Sequence, residues 1–361
     1  MPIGTGADLL QGIPTSAYVT DPSAFFANTV KNQLTPIVVP DEDPGQQYTR
    51  QLLQTGIVSK LRIAFSGSMT VATAAVTVQP EYPYNLLESL TLSANGQNQL
   101  INCSGLTLHA LRNLRYPAFN DATDEFPTDA GDGDIDTGTY PVFLTWEVPI
   151  AIDDTTLVGS LYAQSSSTNL TVQWTTASLA NIFATNPGNV TFSGSWVIQE
   201  TVFAIPFDAE GRQIVPDLSR MHAINEFPNP FTNTGDTYAP LIRSEGQLSR
   251  LLVRVVADPH DPLSADPAAA NASKLDRIRL QYGGNQQPLD YQPASLLQVE
   301  NNQNYGNPLP YDFLCLDFIR ENPIRDALMM QGVTDLNLIV TVNSAVTVGA
   351  GQTFLAQETL F

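Results

Sequence analysis

The chain is short of positive charge: 16 Lys and Arg stand against 36 Asp and Glu in 361 residues, a formal net charge of −20. Phosphate backbones are gripped by clustered Lys and Arg, so this balance argues against a nucleic-acid partner. It argues equally against electrostatic attraction to an anionic membrane surface. Charge of either sign is scarce, at 14% of residues, against about 25% in an average soluble protein. Surface polarity must then come from Asn, Gln, Ser and Thr, and a face poor in charge costs less to bury against a neighbour. There are two cysteines, Cys103 and Cys315. Their spacing sets up no disulfide framework, which predicts buried free thiols in a protein made in a reducing compartment. No uninterrupted apolar run approaches the roughly 18 residues of a membrane-spanning helix. The start, Met1-Pro-Ile-Gly-Thr-Gly6, lacks the basic and then apolar pattern of a signal peptide. A soluble, cytosol-made protein is expected.

Signatures of catalysis are also missing. His109, His222 and His260 have no second His or Cys at a metal-ligand spacing, and His109, set among leucines, reads as a satisfied, partly buried side chain. There is no Gly-x-Ser-x-Gly elbow, no His-Glu-x-x-His, no dinucleotide fingerprint and no Walker loop. Glu147 and Asp317 are the carboxylates a glycoside hydrolase would use first, since such pairs are distant in sequence. They fall at matching places in a repeat described below, one per copy, which favours a structural role. Trp146, Trp174 and Trp196 lie in strand-like runs and read as core or interface rather than a sugar platform. The stretch from Asn120 to Gly138 carries Asp121, Asp124, Glu125, Asp129, Asp132, Asp134 and Asp136. Its phrase Asp132-Gly-Asp-Ile-Asp136 alternates oxygen ligands as calcium prefers. An EF-hand counted from Asp132 would need Gly at Thr137 and Glu at Phe143. A solvated acidic loop is therefore preferred, with calcium binding by Asp129–Asp136 left open. No catalytic, cofactor-binding or metal residue is assigned, and no cofactor is expected.

What is present is one design written twice. Thr55-Gly-Ile-Val-Ser-Lys-Leu61 returns as Glu245-Gly-Gln-Leu-Ser-Arg-Leu251, at an offset of 190. Leu87-Glu-Ser-Leu-Thr-Leu92, followed by Asn95-Gly96, returns 188 residues later as Leu275-Asp-Arg-Ile-Arg-Leu280, followed by Gly283-Gly284. Phe143-Leu-Thr-Trp-Glu-Val148 returns as Phe313-Leu-Cys-Leu-Asp-Phe318, at 170, and Leu170-Thr-Val-Gln-Trp174 as Leu336-Asn-Leu-Ile-Val340, at 166. Four matches in one order with shrinking offsets predict two tandem domains, the first with the longer loop. Alternating runs such as Leu61–Phe65 and Leu87–Leu92, and the tight-turn dipeptide Asn95-Gly96, make both copies β. A short helix is expected over Leu106–Leu114 after Ser104. Another is expected from Asp21, the cap, through Pro22 to Leu34, with Phe25, Phe26, Val30 and Leu34 at helical spacing. The prediction is all-β: two tandem eight-stranded jelly rolls with short helices between strands. Residues 1–50 form an N-terminal arm, 51–205 the first jelly roll, 206–240 a proline-punctuated linker and 241–361 the second jelly roll.

The phrase Tyr84-Asn-Leu-Leu-Glu-Ser-Leu-Thr-Leu-Ser-Ala-Asn-Gly96, then a helix, then further strands, then the whole unit again, resembles the double jelly-roll major capsid proteins of tailless icosahedral viruses. The likeness is particularly to the tectivirus-like bacteriophages with an internal membrane, and it covers roughly residues 51–361. It implies a homotrimer whose six jelly rolls make a pseudo-hexameric tile of an icosahedral shell. It also implies synthesis in the host cytoplasm, a place in the virion, and contacts with neighbouring trimers and with vertex and minor capsid proteins. Enzymatic activity is not implied. Lys31 is the only basic residue before Arg50, so any contact with an internal membrane would be apolar or run through another protein. Loops are short apart from 117–140 and 206–240, which predicts no large tower. The competing expectations are a two-domain β-sandwich glycan hydrolase and a carbohydrate-binding module with calcium in its acidic loop.

Overall fold

A computed structural model describes residues 17–20, 22–40, 44–79, 81–96, 98–116, 124–127, 134–228, 231, 233–242, 246–255, 275–284, 286–306, 309–310, 313–320, 326–333, 335–343 and 353–361. Among the described residues sixteen principal strands fall into two sets of eight. The first set is β1 (Lys31–Gln33 and, after a break, Ile37–Pro40), β2 (Gln47–Gln51), β3 (Ile57–Val71), β4 (Leu87–Ala94), β5 (Asn98–Cys103), β6 (Gly138–Pro149), β7 (Leu170–Thr176) and β8 (Val190–Phe203). The second is β9 (His222–Pro228), β10 (Gly235–Pro240), β11 (Gln247–Val255), β12 (Leu275–Tyr282), β13 (Gln286–Tyr291), β14 (Leu314–Asp317), β15 (Leu336–Val342) and β16 (Thr353–Leu360). In the first set the strands pair in the orders β6-β3-β8-β1 and β5-β4-β7-β2. The second repeats this as β14-β11-β16-β9 and β13-β12-β15-β10. Each is the strand order of an eight-stranded jelly roll. The halves are joined through their sheets. β9 runs parallel to β5, with Ile224 opposite Ile101 and Asn225 opposite Asn102, so a sheet of the second half continues into a sheet of the first.

The repeated phrases have a structural reason. Where β3 pairs with β8 the register skips Ser59, and where β11 pairs with β16 it skips Ser249. Both serines are buried, and each marks a β-bulge that accentuates local twist. Three residues earlier sits a glycine under the last strand: a Cβ on Gly56 would lie 2.5 Å from the Phe203 carbonyl oxygen, and one on Gly246 2.1 Å from that of Leu360. Gly-x-x-Ser-Lys/Arg-Leu therefore encodes a close approach followed by a bulge. β4 and β12 share one alternation of buried and exposed positions. Asn95-Gly96 and Gly283-Gly284 all have positive φ, as a two-residue hairpin turn demands. Even a buried polar contact is duplicated: the Glu200 side chain accepts the Leu53 N–H at 2.9 Å, and that of Gln357 accepts the Ile242 N–H at 2.8 Å.

The first core is built on Trp146, Trp174 and Trp196, fully buried, with Trp196 centred 5.6 and 6.2 Å from the other two. It also takes in Ile224, Leu252, Phe313 and Ala356 from the second half, while a separate cluster around Leu251, Ile278 and Leu338 fills the second. Helix α1 spans Pro22–Asn28, α2 Gly105–Arg115 and α3 Ser295–Tyr305. Helix α2 starts where expected, with the Ser104 hydroxyl accepting the Thr107 N–H.

Three expectations change. Residues 1–50, expected as an N-terminal arm, contribute β1 and nearly all of β2 to the first set of strands. The N-terminal helix stops at Asn28 instead of reaching Leu34; Lys31–Gln33 pairs with β8, and Val30 is 61% exposed. Phe25 and Phe26 pack on Phe203, with centroids 6.3 and 5.5 Å away. That contact anchors the short helix, and the unpaired edge of β8 claims the residues beyond it. Asp21 lies outside the described residues. The segment 206–240, expected as a proline-punctuated linker, carries β9 and β10 and the short strand Ile214–Val215. β9 lies between β16 and β5, a position that ladder hydrogen bonds stabilise despite the polar side chains Asn225 and Glu226.

Candidate functional site at the junction of the halves

The repeated cation of the Gly-x-x-Ser-Lys/Arg phrase is buried as Arg250 and partly buried as Lys60. Lys60 reaches the Tyr116 hydroxyl at 2.8 Å, Asp154 at 3.0 Å and Glu147 at 3.5 Å, and Tyr116 donates to Glu147 at 2.9 Å. Burial alone would disfavour the ammonium, but the hydrogen bond to Tyr116 and the two carboxylates outweigh it and raise the Lys60 pKa. In the second copy Arg250 meets Asp317 at 3.2 Å and Glu358 at 2.8 Å, and Tyr305, the last residue of α3, donates to Asp317. Glu358 also faces Nε2 of His222 at 2.8 Å and Arg115, from α2 of the first half, at 3.4 Å. Burial pushes the Glu358 carboxyl up, but Arg250, His222 and Arg115 together hold it well below the usual carboxylate range. The other ring nitrogen of His222 lies 3.0 and 3.1 Å from the carbonyl oxygens of Pro149 and Ile150 in the first half. These charges thus tie the two halves together across their boundary.

Glu147 and Asp317 each sit in an ion pair in the wall of their own half. Their match is looser than the sequence implies. Asp317 stands directly opposite Arg250, whereas Glu147 stands opposite Arg62 and reaches Lys60 from two residues away. Side chains two apart share a face of a strand, so either register serves the same pair. A cleft of about 460 Å³ opens beside them, lined by Arg115, Tyr116, Asp154, Arg250 and Arg320 among others. Its carboxylates are engaged by cations and hydroxyls, which suits cohesion rather than the protonated acid that glycoside cleavage requires.

The remaining sequence candidates are dispersed. The Asp124 side chain is fully buried, accepting from Tyr84 at 2.6 Å and Thr145 at 2.8 Å and pairing with Arg112 at 3.3 Å. Asp134 accepts from Thr77 at 2.6 Å. Asp121, Asp129 and Asp132 lie outside the described residues, as does His260. Among the described residues no three His, Cys, Asp or Glu side chains gather as a metal site, and no helix is long and apolar enough to cross a membrane. Cys103 and Cys315 are free and buried, and burial pushes both thiols up. One functional contact had no sequence signal. Glu226 of β9 accepts from the Ser104 N–H and hydroxyl at 2.8 Å each and from Thr107 at 2.7 Å, placing a carboxylate on the N-terminus of α2 across the boundary.

His109 stacks on Tyr84 with ring centroids 3.6 Å apart. Burial, with Arg112 nearby, lowers its pKa from 6.5 to about 3. A histidine kept neutral in the fold but free to protonate when unfolded contributes fully above pH 6.5, and that contribution is lost as pH falls toward 3. Between pH 7 and 5 the loss from this one group is about 2 kcal/mol. His109→Phe, which keeps the stack, is expected to flatten urea-midpoint against pH over that interval. An unchanged slope would place the titration elsewhere.

No family model matches the sequence, and neither does any curated protein. Solved structures do. The STIV MCP, from Sulfolobus turreted icosahedral virus, superposes with a TM-score of 0.66 at 17% identity, over 92% of this chain and 95% of that one. The chain is a double jelly roll. The PBCV-1 virus capsid structure aligns with this double jelly roll at a TM-score of 0.57 and 12% identity, covering 97% of this chain and 95% of that one. The major capsid protein P2 of bacteriophage PM2 aligns at 0.51 and 11%, covering 92% and 97%. At these identities the shared property is the fold.

Proposed function

We propose that this double jelly roll is a viral structural protein, the major capsid protein of a tailless icosahedral virion. The observation that carries the reading is coverage: capsid proteins of different viruses match nearly end to end, both jelly rolls together. Three copies would form a pseudo-hexameric tile, each chain supplying two of its six jelly rolls and meeting neighbouring trimers, vertex and minor capsid proteins in the shell. One jelly roll would run from β1 to β8 and the other from β9 to β16. The proposed role is cohesion, not catalysis, and the low charge density of 14% keeps side faces inexpensive to bury. Viruses with differently named hosts share the fold, so the proposal is a tailless icosahedral virion rather than a bacteriophage in particular. Light scattering on a sizing column tests it: a mass near three times 39.2 kDa is expected. A monomer at high concentration under every ionic condition would overturn the trimer.

A further inference from the structure

The two jelly rolls within one chain are joined by a strand pair, and the same two edges occur a second time, with no strand beside them among the described residues. On the joining side Ile224 faces Glu358, which faces Arg250. In the first jelly roll Gln33 faces Thr201, which faces Lys60, and Lys60 and Arg250 are the repeated cations. Gln33 therefore stands where Ile224 stands. Leu34, whose N–H bonds to the Glu200 carbonyl at 3.0 Å, stands where Asn225 stands. On the receiving side Leu92 faces Ile101 in the first jelly roll, and Leu280 faces Leu289 in the second. Leu289-Asp290 is thus the counterpart of Ile101-Asn102, the pair that holds β9. Among the described residues β1 and β13 each end their sheets, with no strand on the outer edge. Lys31, Asn32 and Gln33 are all exposed, as are Gln286, Gln287 and Asp290.

We propose that a second copy of this chain lays its β1 edge parallel to β13, with Gln33 opposite Leu289 and Leu34 opposite Asp290, repeating between chains the β9–β5 pairing made within one. The inference rests on the trimer reading and names the surfaces that would close it. An open edge is a template for main-chain pairing, and an exposed β1 and β13 on every copy make a head-to-tail contact that can close into a ring. Pro288 has no N–H to give, which confines the ladder to Leu289–Tyr291, about the length of the internal β9–β5 contact. The incoming strand also reaches the first turn of α3, where Leu296 is 52% exposed; its counterpart Leu106, in α2, is 5% exposed.

Oxidative cross-linking of a Gln33→Cys, Leu289→Cys double variant tests the pairing, since Cys103 and Cys315 are buried. Covalently closed three-chain rings on a non-reducing gel are expected. None should form from Gln33→Cys with Tyr238→Cys, a position on β10 at the far side of the same sheet. Hydrogen exchange on the unmodified protein needs no variant: the amides of 31–34 and 289–291 should exchange at least about tenfold more slowly in the assembled form than on dilution. A trimer by light scattering with no link and no protection overturns the edge pairing and leaves the capsid reading intact. Open linear ladders keep the pairing and overturn three-chain closure. A monomer throughout, with no link, overturns both.

Discussion

Replacing Glu358 with alanine is expected to lower stability by about 3–5 kcal/mol, the cost of leaving buried charge without its partner. Glu358 is 2% exposed and is approached by Arg250 at 2.8 Å, His222 at 2.8 Å and Arg115 at 3.4 Å. Its removal leaves the guanidinium groups of Arg250 and Arg115, each with a side chain 11% exposed, without their shared carboxylate. The effect should appear as a lower denaturant midpoint with an unchanged slope, measured at one fixed protein concentration. Its pH dependence has a definite sign. The Glu358 carboxyl is held below its ordinary value of 4.5, so its contribution is complete above that pH and is lost as pH falls further. Variant and parent should therefore converge in acid. A midpoint within about 1 kcal/mol of the parent at pH 7 would show that the cluster does not hold the halves together.

That cluster also shows how far the sequence could be read. The duplication was visible because a bulge at Ser59 and Ser249 and a close approach at Gly56 and Gly246 constrain residue type locally. The helix over Leu106–Leu114 was visible because Ser104 precedes a leucine-rich run. Helix α3 was not: Ser295-Leu-Leu-Gln-Val-Glu-Asn-Asn-Gln-Asn-Tyr305 mixes Asn and Val, poor helix formers, on a weakly amphipathic surface. β9 and β10 were hidden for a related reason. Their residues are polar and flanked by prolines, and they are strands because β16, β5 and β15 supply the partners. Lys60 and Arg250 could be matched through their phrases, yet the pairing of Glu358 with Arg250, of His222 with Glu358 and of Glu226 with Ser104 could not be read. Those contacts span more than a hundred residues in sequence and depend on sheet order. Asp317 and Glu147 fell in between: the right face was legible, the register was not, because side chains two apart are interchangeable on one face of a strand.

Adding a single methyl group at either repeated glycine is the second change expected to be severe. In Gly246→Ala the new Cβ would sit 2.1 Å from the carbonyl oxygen of Leu360 and 3.0 Å from the Phe361 Cα. Both are backbone atoms that no rotamer change can move. In Gly56→Ala it would sit 2.5 Å from the Phe203 carbonyl oxygen, at a residue whose φ is +61°, so left-handed strain adds to the clash. Overpacking costs about 1–3 kcal/mol and a strained φ a similar amount, which puts Gly56→Ala at roughly 2–6 kcal/mol. Gly96→Ala separates the two effects. Its φ is +68° with nothing within 4 Å of the added atom, so strain alone should cost about 1–2 kcal/mol. Soluble yield and urea midpoint on the three variants should rank Gly96→Ala mildest. The Gly246 result reaches furthest, because β16 pairs on one side with β11 and on the other with β9, and β9 carries the parallel contact to β5. Displacing Leu360 shifts the strand on which both jelly rolls hang. A Gly246→Ala protein as stable as Gly96→Ala would mean that the start of β11 does not lie under Leu360, and the common construction drawn from the repeated phrase would fail with it.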